Sequence, residues 1–137
     1  MFPPIYSVSG WITIVFGSTR PNSSLATSRT PSTLSTLSIL EDLWERGIPA
    51  IITDGQNRAR FLCSDTVNIP RSEFTYLSVV AADREVEGVT VTGCKYPLWD
   101  ATLSRRVQFA VSNEITANLA TVTVGQGGVY IIESRDL

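Results

Sequence analysis

The chain has 137 residues, 43% of them hydrophobic and only 18% charged, with eleven bases against thirteen acids. That length suits one domain with a sizeable core, and the balanced charge excludes the footprint of a nucleic-acid binder or a polybasic membrane patch. The absence of histidine excludes a His-based triad, a His-ligated metal and the usual near-neutral proton shuttle.

Residues 1–8 read as an extended arm, because Pro3-Pro4 prevents regular helix. The apolar N-terminal stretch lacks a basic leader, so it is not read as a signal peptide, and no run of eighteen apolar residues predicts a membrane helix. Trp11 to Phe16 alternate as a strand with large apolar groups on both faces, ended by Gly17. Residues 18–31 form a long polar loop. Thr30 then caps a helix with Pro31 in its first turn, and Leu34, Leu37, Leu40 and Leu43 or Trp44 give it one apolar stripe. Gly47 and Pro49 stop it. Ser38 and Glu41 also fit a capping box, which would start the helix near residue 39; the longer version agrees with the stripe.

Beyond Gly47 the apolar period falls to two. Asp54-Gly55 is the strongest turn signal, joining Ala50–Thr53 to Arg58–Cys63 in a hairpin. Further strands are predicted at Phe74–Ala82, Val89–Thr92, Arg105–Val111, Leu119–Val124 and Val129–Ile132, with Gly93 as a bulge and residues 95–104 as a loop or crossing segment. The predicted fold is therefore α+β and mainly β, an antiparallel sandwich or partly closed barrel with one packed helix, spanning residues 1–137 as a single domain.

Few residues point to chemistry. Cys63 and Cys94 are either one bridge or two buried thiols. Two cysteines without histidine fall short of a metal site, so no metal and no cofactor are expected. The acidic runs Asp83/Glu85/Glu87 and Glu41/Asp42/Glu45 read as a solvated corner and the wet face of a helix. Arg58 and Arg60 read as charges protecting a strand edge. Trp99 lies in a predicted loop, where it serves either the core or an interface.

Two resemblances follow from these patterns. ITIVFGSTRPNSS at residues 12–24 is similar to the first strand and phosphate loop of NADPH-dependent FMN reductases, and the next helix and strand suggest a strand–helix–strand unit. That resemblance implies a flavin enzyme using Gly17-Ser18-Thr19-Arg20, with Ser18, Arg20, Asn22 and Ser23 on the FMN phosphate. The doubly wound alternative needs more helices than residues 48–137 supply.

The element order strand, long loop, helix, hairpin and further strands, carried above all by Ser32–Arg46 and Ile48–Cys63, resembles the small sandwich or barrel virion proteins of tailed bacteriophages. This second resemblance implies a structural, self-assembling, non-enzymatic protein of the tube, terminator or distal-tail type. It would reside in the virion after assembly in the host cytoplasm. Its partners would be copies of itself in rings or tubes and other virion proteins, with no direct nucleic-acid recognition and no membrane. Phe2, Ile5, Tyr6, Arg20 and Arg29, in extended or loop segments, would then make intersubunit contacts, with Trp99 as a further interface candidate. A third reading is a carbohydrate- or peptide-binding sandwich that stacks ligand on Tyr96 and Trp99.

Overall fold

The computed structural model describes residues 5–8, 10–15, 29–105 and 111–136. The described residues form an α+β, mainly β fold of eleven strands and one helix. Contacts divide the chain into two compact units, Met1–Phe61 and Leu62–Leu137.

In the first unit β1 (Ile5–Val8) folds back on β2 (Trp11–Val15) as an antiparallel pair, with Gly10 at φ +81° in the turn. Residues 5–8 of the predicted arm are thus strand. Among the described residues one helix, α1 (Arg29–Glu45), lies between β2 and β3 (Ala50–Thr53), and these two strands run parallel, with Ile12 opposite Ala50. A parallel pair needs a crossover, which α1 supplies. The helix ends in a Schellman motif: Gly47 N–H donates to the Trp44 carbonyl at 2.9 Å and Ile48 N–H to the Leu43 carbonyl at 2.8 Å. Gly47 adopts φ +79°, the left-handed conformation this cap requires. Leu40 of the predicted stripe is fully buried, while Leu37, Leu43 and Trp44 are half-buried.

β4 (Asn57–Cys63) pairs antiparallel with β3 across the Asp54-Gly55 turn. Asp54 Oδ1 accepts from the N–H groups of Gln56 at 3.0 Å and Asn57 at 2.8 Å, so the aspartate closes its own turn. Trp44 packs tilted on Trp11 (5.9 Å between centroids) and edge-on to Phe61 (6.0 Å). Arg60 is buried, its guanidinium 5.0 Å from the centre of the Trp11 ring. It is therefore a packed cation rather than the edge charge the sequence suggested.

The second unit is an open sandwich. One layer holds β11 (Gly128–Ser134), β6 (Tyr76–Ala81) and β9 (Val111–Glu114) in that order; the other holds β5 (Thr66–Pro70), β10 (Leu119–Thr123), β7 (Glu85–Thr92) and β8 (Leu98–Ser104). Adjacent strands within each layer are antiparallel. Alternate residues point inward: Leu77, Val79, Val129 and Ile131 from one layer, Ile69, Val86, Val89, Val91 and Val122 from the other, all essentially without solvent exposure. On the opposite face of the four-stranded layer Thr66 meets Thr123 across strands, with their hydroxyls 3.2 Å apart, and Thr121 donates to Asn68 Oδ1 at 3.0 Å.

Two stretches differ from the sequence reading. β5 was not expected, and β8 occupies most of the segment read as a loop. The strand expected at Arg105–Val111 lies largely outside the described residues; Arg105 is in a turn and β9 starts at Val111.

Near the end of the chain, Tyr76 donates its hydroxyl proton to Asp136 Oδ2 at 3.0 Å. That hydrogen bond first, and the carboxylate charge second, hold the phenol above its usual range near 10. Because the folded-state value is the raised one, the interaction is present in full below pH ~10 and is lost as pH climbs through the shifted value. An alkaline absorbance titration should show Tyr76 ionising late and moving back toward its usual range in Asp136→Asn; an unaltered titration curve would refute the assignment.

Candidate functional site

The feature that stands apart from core packing is the connection from β7 to β8. Gly93 leaves β7 at φ +81° and lies so close to β10 that a Cβ there would be 2.2 Å from the Leu119 carbonyl oxygen. Its own carbonyl accepts from the N–H groups of Thr116 and Ala117, each at 3.1 Å. Cys94 bridges to Ile115, and Lys95 N–H donates to the Glu114 carbonyl at 2.8 Å. Asn113 then reaches Tyr96 with its side chain: Oδ1 accepts from Tyr96 N–H at 2.8 Å, and Nδ2 donates to the Tyr96 carbonyl at 2.6 Å. The stretch 93–96 is thus strapped to 113–117 residue by residue.

What this strapping presents is aromatic. Tyr96 is 59% exposed and Trp99 68%, the two most exposed large hydrophobic residues described. The Lys95 ammonium sits 5.5 Å from the centre of the Tyr96 ring. Where β8 begins to pair with β7, Trp99 and Asp100 together oppose the single residue Thr90, a bulge. Asp100 takes φ +45° and donates its N–H to Thr90 Oγ1 at 3.0 Å instead of to the ladder. The bulge breaks the in–out alternation and leaves Trp99 on the solvent side. Of the interface and core roles open to Trp99, its exposure rules out the core.

The opposite end of the sandwich is built for closure. Ser64, at φ +49°, donates its N–H to the Gly127 carbonyl at 3.0 Å and accepts from Gly127 N–H at 3.2 Å. Asp83 Oδ2 accepts from Gly128 N–H at 2.8 Å, so this carboxylate of the acidic corner ties a turn. The thiols of Cys63 and Cys94 are both free. Burial pushes the Cys94 thiol up, which keeps it protonated and a poor nucleophile near neutral pH.

The other contact candidates are scattered. Ile5 and Tyr6 lie in β1 and Arg29 at the start of α1, whereas Phe2 and Arg20 fall outside the described residues, as does the whole Gly17-Ser18-Thr19-Arg20 segment. Sequence reasoning missed Asn113. Its partner Tyr96 is 17 residues away, and no local periodicity signals such a pair.

The strapped connection thus presents two exposed aromatic rings on the surface of a β-sandwich. Comparison with known proteins shows what the chain is similar to. Residues 64–129, just under half the chain, match the family model for thiamin pyrophosphokinase, vitamin B1 binding domain. Among solved structures, the thiamine pyrophosphokinase of Bacillus subtilis superposes with a TM-score of 0.77 at 22% identity, covering 91% of this chain and 56% of that one. The enzyme from Geobacillus thermodenitrificans gives 0.75 at 24% identity, covering 90% and 54%. Yeast thiamin pyrophosphokinase gives 0.64 at 11% identity, covering 78% and 37%. The chain thus spans little more than half the length of the two bacterial enzymes. No curated protein matches it at a significant level.

These findings overturn the virion reading. The matched family and the matched structures belong to an enzyme, so the expectations of a phage-tail structural component, of a virion location and of a non-enzymatic role are all corrected. They give no support to the flavin reductase reading or to the carbohydrate- or peptide-binding one. The physical reason is that element order describes a scaffold, and one scaffold hosts unrelated work.

Proposed function

We propose that the second unit binds thiamin and that the chain acts as the vitamin-holding part of a thiamin pyrophosphokinase-type enzyme. The observation that carries this reading is that the family match over residues 64–129 encloses the whole strapped connection, Tyr96, Trp99 and Asn113 included. The chemistry agrees. Thiamin is a pair of flat aromatic rings, one of them a permanent cation, and exposed tyrosine and tryptophan faces attract such a ring through their quadrupoles. The carboxylates of Asp100 and Glu114, both on exposed residues, outnumber the one ammonium, that of Lys95, which sits 5.5 Å from the centre of the Tyr96 ring and has to swing aside for a cationic guest to take that face. Pyrophosphoryl transfer to the held vitamin is the reaction this reading implies, and the described side chains serve it by holding and orienting the acceptor.

Isothermal titration of the purified chain with thiamin is the direct test. Saturable, near-stoichiometric heat is expected, together with a change in tryptophan emission from Trp99, and no such response to FMN or a neutral sugar. A flat titration with thiamin would refute the proposal.

A further inference from the structure

Tyr96 is held at both polar atoms of its main chain by one side chain. Asn113 is 6% exposed, and its amide oxygen also accepts from Glu114 N–H at 3.1 Å. With Tyr96 N–H and the Tyr96 carbonyl engaged at 2.8 Å and 2.6 Å, the buried amide imitates a neighbouring strand for this single residue. Pro97 follows, which already biases Tyr96 toward extended backbone.

The rest of the connection does not need Asn113. Gly93, Cys94 and Lys95 reach the 114–117 segment through main-chain groups alone. Asn113 therefore adds control of one residue, and that residue carries the most exposed ring of the connection proper.

We infer that Asn113 is a positioning residue for vitamin binding: it acts through Tyr96, fixing the direction in which the ring meets the ligand. The inference rests on the thiamin-binding reading above. A residue that works only through another produces a non-additive double-mutant cycle, whereas one that merely stabilises the fold produces an additive one.

The experiment is thiamin affinity, by titration calorimetry, for the wild-type chain, Asn113→Ala, Tyr96→Ala and the double variant, with thermal unfolding followed in parallel. Asn113→Ala should weaken binding about tenfold, and the double variant should bind no more weakly than Tyr96→Ala alone. Asn113→Asp, equal in size but presenting an acceptor to the Tyr96 carbonyl, provides a second route through the same cycle and should also lose about tenfold while remaining folded. An additive cycle, or unchanged affinity in Asn113→Asp, overturns the positioning role and leaves the thiamin reading standing. If neither Asn113 variant folds, the residue is structural and the inference is equally overturned. Absence of binding by the wild type overturns the thiamin reading, and this inference with it.

Discussion

Gly93→Ala should destabilise the sandwich severely. A Cβ at this position would meet the Leu119 carbonyl oxygen at 2.2 Å and Ala120 Cα at 2.9 Å, both of them main chain of a central strand that cannot swing aside as a flexible side chain does. Overpacking of this kind costs about 1–3 kcal/mol and more when backbone must shift. The φ of +81° adds roughly 1–2 kcal/mol for any L side chain. Together they reach on the order of 2–5 kcal/mol, a large part of the whole stability of a small domain. The melting midpoint should fall by about 10–20 °C. Gly47→Ala is the matched control: φ is +79° but nothing lies within 4 Å of the new Cβ, so only the conformational strain remains. Equal destabilisation by the two substitutions, read from denaturant or thermal curves, would show that the close approach to β10 is not what demands glycine at 93.

If the second unit binds thiamin as proposed, Tyr96→Ala should cost much of that affinity without costing the fold. The ring is 59% exposed, so its removal opens no cavity and should move the melting midpoint little. Against a cationic ring, a face-on aromatic contributes about 0.5–2 kcal/mol, which corresponds to a weakening of roughly 2- to 30-fold. Tyr96→Phe retains the π face and should bind within about twofold of the wild type. Leu119→Ala removes another exposed apolar side chain, one outside the β7–β8 connection, and should leave the affinity unchanged. If alanine at 96 binds thiamin as well as tyrosine does, the ring is not the platform and the candidate site lies elsewhere in residues 64–129.

The fold was legible wherever one local interaction decides the conformation. The aspartate of Asp54-Gly55 closes its own turn, and Gly47 after an apolar stripe gives the helix stop seen in the structure. The strand in Phe74–Ala82 and the one in Leu119–Val124 alternate cleanly because one face of each is buried in the sandwich. Legibility failed where pairing is long-range. Thr66-Val67-Asn68-Ile69-Pro70 has only two apolar side chains and ends in proline, and it becomes a strand because β10 lies beside it. β8 was hidden by its bulge: Trp99 and Asp100 sit side by side on the exposed surface, so period two is lost in the middle of the segment. The parallel β2–β3 pair was legible as a suggested strand–helix–strand unit, although the flavin chemistry attached to it was not supported.

The candidate site was half legible. Trp99 stood out because its segment read as a loop able to present it, and Tyr96 only as its companion in a stacking surface; both prove exposed. Asn113 did not stand out, because a buried amide bonded to a residue 17 positions away leaves no periodic trace. The function was misread since strand and helix order carries no record of which ligand a surface accepts.

The pairing of β5 with β10 sets the tempo at which the sandwich can form. Thr66 and Thr123 are 57 residues apart, and β6 must likewise wait for β11, whose Ser134 lies opposite Tyr76. Contacts so distant in sequence reward the chain only after a long loop has been closed, which places refolding in the slow, millisecond-to-second class typical of sandwiches. During synthesis β5 emerges from the ribosome long before its mate, and its unpaired edge stays open until residue 123 is available.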